Sequence, residues 1–132
     1  MARWTAVALL SAAVTTVGAA AEREPAPDDP VFVAVYTPGS AFLKGKDVAE
    51  QPQFREHVEH LRSRSQWLIA GGPFASQPND QAVGLVVFQA VDEADARRWI
   101  SADPVVVAGV FKAKVRLWRV RNVRALRPTE AR

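Results

Sequence analysis

Residues 83–104 read VGLVVFQAVDEADARRWISADP, and the two halves of this stretch keep different periods. Val83 to Gln89 is a short apolar run of β-branched and aromatic residues, the composition of a strand buried on both faces. Asp92 then offers a side-chain oxygen where the first amides of a helix lack partners, and a second acid, Asp95, follows three residues on. Ala96, Trp99 and Ile100 form the apolar stripe of that helix. Proline cannot continue a helix and biases the residue before it away from helical angles, so the Asp103-Pro104 step ends it.

The same alternation of periods occurs toward the N-terminus. Val31 to Tyr36 (VFVAVY) is a six-residue strand run stopped by Thr37-Pro38-Gly39, and Ser40 to Glu50 keeps no period and reads as a loop. From Pro52 the spacing turns helical: Phe54, Val58 and Leu61 share one stripe, with Arg55, Glu56, Glu59 and Arg62 turned away. Trp67 to Ala70 returns to strand composition and is expected to stop at Gly71-Gly72-Pro73, and Ser76 to Gln81 (SQPNDQ) reads as a polar turn. On the C-terminal side, Val105 to Val110 fits either a bend or a short turn of helix. Phe111 to Val120 alternates apolar and basic residues at first, as a strand with one wet face does.

The order β-α-β-β-α-β over roughly ninety residues predicts a ferredoxin-like α+β fold, a four-stranded antiparallel sheet with two helices on one face. Strands one and three are apolar on both sides, Val31, Val33 and Val35 alternating with Phe32, Ala34 and Tyr36. Helices cover only one of those sides. Leaving the other in water costs several kcal/mol at ~25 cal/mol per Å2, which predicts a homodimer packed sheet against sheet.

Length and composition set the outer limits. A chain of 132 residues has room for one domain and short appendages, and 48% hydrophobic with 23% charged residues is ordinary globular usage. The absence of cysteine excludes disulfides, thiolate metal sites and a thiol nucleophile. Arg3, the eighteen uncharged residues Trp4 to Ala21, and the small Ala19 and Ala21 before Glu22 read as a secretory signal over residues 1–21. That implies an exported, periplasmic or secreted protein with no stable membrane insertion after cleavage. An uncleaved anchor is the competing reading, because the run approaches the ~20 residues that span a bilayer. Residues 22–30, with three prolines and five charges, should form an extended linker, so the domain is placed at 31–121. The formal charge is +3, and residues 112–132 carry eight basic side chains and one acid, with 122–132 as a basic tail. Export and the lack of an aromatic-rich recognition motif argue against nucleic acid, leaving a wet strand face and a frayed end as the plain reading.

Candidate chemistry is sparse. The two histidines, His57 and His60, lie on the first helix, with His57 at the edge of its apolar stripe and His60 farther toward solvent. A half-buried imidazole oriented by a carboxylate can move protons near neutral pH, although a boundary histidine more often only packs. A metal pair from these two lacks a third ligand, so no metal site is expected. Asp103 is held in a defined pose before proline, and most such aspartates only form turns.

FREHVEHL (54–61), AGGPF (70–74), GLVVFQAVDEADARRWISADP (84–104) and VVVAGVFKAKVRLWRV (105–120), with YTPGSAF (36–42) and the KGK after it, resemble a YCII-related domain over roughly 31–121. The resemblance implies a dimeric ferredoxin-like α+β barrel and a histidine-aspartate motif that falls on His57 and Asp103. Relative to the family pattern the chain is about two residues shorter between His57 and Gly72-Pro73, so His60 is the alternative occupant. The resemblance also implies cofactor-free proton transfer, of lyase or isomerase type, on a small anionic or cyclic substrate. Gly71 and Gly72 amides would receive an oxyanion, and Lys44 or Lys46 would attract a carboxylate. The alternative is a non-catalytic small-molecule-binding or structural dimeric domain of the cell envelope.

Overall fold

The computed structural model describes residues 23–75 and 81–124. Its elements are β1 (Val31–Pro38), a 3-10 turn (Val48–Glu50), α1 (Phe54–Arg62), β2 (Leu68–Pro73), β3 (Gly84–Gln89), α2 (Glu93–Ser101), α3 (Pro104–Val107) and β4 (Phe111–Leu117). The four strands form one antiparallel sheet in the order β2-β3-β1-β4, which is the ferredoxin-like arrangement. The expected signal over 1–21, the expected polar turn Ser76 to Gln81 apart from Gln81 itself, and the chain beyond Arg124 lie outside the described residues.

The period-2 pattern of β1 is reproduced in its burial. Phe32, Ala34 and Tyr36 are buried on the helix side, while Val31, Val33 and Val35 are half-buried on the other. Register sets Val33 opposite Val87 and Val35 opposite Leu85, so the face away from the helices carries a continuous apolar strip. Beside it, Lys114 and Arg116 of β4 pair with Val35 and Val33. Phe32, Phe88, Trp99, Ile100 and Val105 fill the core between sheet and helices. Each such side chain contributes about 1.5–3 kcal/mol by leaving water. Asp92 caps α2 by accepting from the Asp95 amide at 2.7 Å, as its place in the sequence leads one to expect.

Two details differ from the sequence expectations, in β2 and in the segment before β1. β2 does not stop at Gly71-Gly72-Pro73 but runs through them, paired with Val86, Leu85 and Gly84. An edge strand tolerates proline where its missing N–H faces away from the ladder. At Gly84 an added Cβ would lie 2.6 Å from the Gly72 carbonyl oxygen, so only glycine allows the two strands this approach. The Asp103-Pro104 step follows the end of α2 as expected, and of the two readings of Val105 to Val110 the short helix is the one observed, with Pro104 at the first position of α3.

The segment before β1 is docked, not extended. Asp29 accepts from the Ala26 amide and pairs with Arg23, and Gln89 Nε2 donates to the Ala26 and Asp29 carbonyls at 2.9 and 3.1 Å. Arg23 lies 5.2 Å over the Trp67 ring. Composition forecast an extended, solvated linker; Arg23, Glu24 and Asp28 stay exposed, but a turn and the half-buried Gln89, which bonds two backbone carbonyls, hold the segment against the domain. Finally, the loop after β1 is held by buried Gln51, which bonds to both the amide and the carbonyl of Leu43 and to the Lys46 carbonyl.

Candidate active site

Asp103 is the residue on which the site is built. As the N-cap of α3, it uses Oδ1 to accept from the Val105 amide at 3.2 Å, the ordinary duty of an aspartate before proline. Its other oxygen is free for a different use. Oδ2 accepts from the Tyr36 hydroxyl at 2.9 Å and lies 2.7 Å from Nδ1 of His57. Asp103 is fully buried, and the His57 side chain is 12% exposed. An acceptor-only carboxylate beside Nδ1 places the imidazole proton there, leaving Nε2 as the lone-pair nitrogen of the neutral ring.

Tyr36 enters this cluster because β1 points it inward at the end of the helix-side row. Burial, then the negative charge of Asp103 and the hydrogen bond to it, push the Tyr36 phenol far above its ordinary value of 10.0. It therefore remains a donor to Asp103. Its ring meets His57 edge-on at 5.4 Å and Phe111 at 6.1 Å. Phe54 lies 5.8 Å from the imidazole on the same helix, so the ring of His57 is bracketed by aromatic groups and locked by one charged bond.

The His57 side opens on a cavity of about 280 Å3 between α1 and the β2-β3 pair. Its walls are apolar, from Phe54, Val58 and Leu61 on the helix and Leu68, Val86 and Phe111 on the sheet, and the Gly71–Pro73 backbone closes one side. Adding a Cβ at Gly71 would crowd the Val86 side chain at 3.3 Å, so glycine keeps this wall thin. Polar groups are few: His57, Tyr36 and, on the helix, Arg62.

The structure brings some predicted residues together and not others. His57 and Asp103 meet; His60 does not join them. Its Nε2 lies 2.9 Å from the Trp99 carbonyl oxygen and its ring stacks on Trp99 at 5.5 Å, because α2 occupies the flank that the helical wheel left to solvent. The two imidazoles thus serve different partners and do not converge as a metal pair. Among the described residues no three His, Cys, Asp or Glu side chains cluster as metal ligands. Lys44 and Lys46 are exposed on the loop and neither lines the cavity.

Gly71 and Gly72 do line it, but not as a pair of free amides. Ladder bonds alternate along antiparallel strands. With the Phe74 amide donating to the Val83 carbonyl, and Pro73 lacking an N–H, the alternation sets Gly72 at a bonded position and Gly71 at an outward one.

The sequence reading did not name two residues that line the cavity, Tyr36 and Arg62. The parity of Tyr36 with Phe32 and Ala34 was the available signal, since an inward tyrosine at a strand end needs a partner for its hydroxyl. Arg62 was read as turned away from the stripe, yet it is exposed at the rim of the cavity.

The YCII-related domain family matches residues 31–119. Among solved structures, 5-chloro-2-hydroxyhydroquinone dehydrochlorinase (TftG) from Burkholderia phenoliruptrix AC1100, in complex with 2,5-dihydroxybenzoquinone, is similar with a TM-score of 0.53. The two share 17% sequence identity over 67% of this chain and 93% of that chain, a likeness of fold. No curated protein matches the chain.

Proposed function

The chain belongs to the YCII-related domain family, and from that premise we propose that it is an enzyme of lyase or isomerase type that moves a proton on a small cyclic, anionic substrate. The observation that carries this reading is the buried Asp103 carboxylate 2.7 Å from Nδ1 of a histidine that lines an apolar cavity. Nε2 of His57 takes a proton from the substrate, and the imidazolium that forms is stabilised by Asp103. The electron pair left behind moves through the ring. It either expels a leaving group as an anion or is reprotonated at another carbon by the same imidazolium. Asp103 does not change protonation; with Tyr36 it holds the ring in one orientation.

The reading includes a homodimer joined through the apolar strip of Val33, Val35, Leu85 and Val87, and export directed by residues 1–21. It is supported on the first point by the half-buried valines of β1, and on the second by the uncharged run Trp4 to Ala21.

The fold neighbour's substrate class supplies the first assay. Chloride release from 5-chloro-2-hydroxyhydroquinone is measured for the wild type, His57→Ala and Asp103→Asn, alongside deuterium incorporation into cyclic enol-lactones. Turnover of either kind that both substitutions suppress supports the proposal. Turnover that survives both moves the chemistry to another site. Ligands that bind the cavity of wild type and His57→Ala alike, with no turnover, favour a binding domain.

A further inference from the structure

We propose that Arg62 is the group that reads the negative charge of the ligand, and that the cavity takes a single-ring anion whose charged substituent lies at the far end of the ring from the position facing His57. This rests on the proposed function of the same cavity and adds to it the substrate's charge placement.

Three observations converge. Among the described residues lining the cavity there is no aspartate or glutamate, and Asp103 stands behind His57, fully buried. Among the described residues, Arg62 is the one Lys or Arg that lines the cavity. Its charge is also uncommitted. Arg23, Arg55, Arg64, Arg97 and Arg98 sit against carboxylates, and Glu59, one turn back from Arg62, pairs with Arg55 instead; Arg116, Arg119, Arg121 and Arg124 are exposed on or after β4 and do not line the cavity. Among the described residues the Arg62 guanidinium has no hydrogen-bond or ion-pair partner. A guanidinium at the mouth of an apolar cavity, with no protein anion to satisfy it, is matched to a carboxylate or phenolate brought by the ligand.

Helix geometry fixes the arrangement. His57 and Arg62 are five positions apart on α1, about 7.5 Å along the axis and about 140° around it. Val58 and Leu61, which also line the cavity, fall inside that arc. A ligand lying against these two apolar side chains is therefore bracketed by the proton-moving nitrogen at one end and the cation at the other. The volume of about 280 Å3, at the low end of the ~300–1,000 Å3 usual for ligand pockets, has room for a single ring.

The test compares 4-hydroxybenzoate with its neutral counterpart 4-hydroxybenzamide, titrated calorimetrically into the full chain at low and at physiological ionic strength. The wild type is expected to prefer the carboxylate about fivefold, the scale of one exposed ionic contact, with the preference shrinking as salt rises. Arg62→Gln removes the preference and leaves amide binding unchanged. Arg62→Lys retains part of it, and His57→Ala retains all of it. A preference that survives Arg62→Gln, or a wild type that binds both compounds equally, overturns the assignment of Arg62 while leaving the cavity and its dyad in place. If neither compound binds the wild type at millimolar concentration, the cavity reading falls together with this inference.

Discussion

Oδ2 of Asp103 lies 2.7 Å from Nδ1 of His57, although 46 positions separate them along the chain. The contact joins the C-terminal half of the fold to α1 and uses Oδ2, whereas the cap of α3 uses Oδ1. The interaction is therefore separable from the capping role. Asp103→Asn keeps an oxygen for the cap and removes the charge behind the imidazole; turnover should fall about 10^2–10^4-fold, the usual weight of one acid-base group. His57→Ala should lower it at least as far while leaving the melting temperature within a few degrees. Steady-state kinetics on any identified substrate, with melting curves of both variants, decide the point.

Tyr36 is the chain's one tyrosine, so phenolate absorbance reports on it alone. Its folded value is raised above the ordinary 10.0 by burial and by the charge of Asp103. A raised value means that the hydroxyl's contribution to stability is complete below 10.0 and is lost as pH rises above it. In an alkaline titration the phenolate band should thus stay absent past 10.0 and appear together with unfolding. Asp103→Asn should bring it in earlier, and Tyr36→Phe should cost about 1 kcal/mol of stability. A phenolate that forms in the folded protein near 10.0 contradicts the buried contact.

Arg64 and Asp95 form a second interior pair. The guanidinium lies 5.1 Å over Trp67 and 5.2 Å over Trp99, and its NH2 is 2.9 Å from Asp95 Oδ2. Burial raises the Asp95 carboxyl, but the hydrogen bonds from Arg64 and the Val91 amide and the charges of Arg64 and Arg98 outweigh it, and the net value lies below the ordinary 3.8. Its stabilising effect is then present above 3.8 and lost as pH falls through the lower folded value. Asp95→Ala, which leaves a buried cation without its partner, should cost about 3 kcal/mol in denaturant unfolding and blunt the stability loss at acid pH.

The apolar strip on the sheet face away from the helices makes the oligomeric state testable. Val33 and Val35 sit opposite Val87 and Leu85 in the register. Wild-type protein should sediment as a dimer at micromolar concentration. Val35→Glu, which buries a charge in that contact, should give protomers with unchanged far-ultraviolet circular dichroism. A wild type that remains a protomer across the same range removes the dimer.

Local periodicity carried most of the architecture. The alternating burial of Val31 to Tyr36, the stripe of Ala96, Trp99 and Ile100, and the cap at Asp92 all follow from spacing, because sheet and helix each force a repeat on the side chains they bury. His57 at the edge of its stripe and Asp103 ahead of proline were visible for the same reason. Spacing was silent on what stands opposite each face. It sent His60 toward solvent, where the structure puts Trp99, and turned Arg62 away from a cavity that it borders.

Composition misled in two places where a neighbour supplies what the segment itself lacks. Residues 22–30 read as a solvated linker, but its described part, from Arg23 on, is tied down by Gln89 and Trp67. Gly71-Gly72-Pro73 reads as a strand stop, but β3 lends its edge and the missing proline donor faces outward.

The sequence by itself determined the order of the strands and the two main helices, the inward stripe of most of them, and a short list of candidates for proton transfer, His57 or His60 with Asp103. The tertiary structure alone decided that Asp103 would hold His57 and Tyr36 at once, that His60 would serve α2, and that Arg62 would stand unpaired at the rim. The reason is physical: a repeat along the chain fixes the direction of a side chain relative to its own backbone, whereas its partner is set by how separate elements pack.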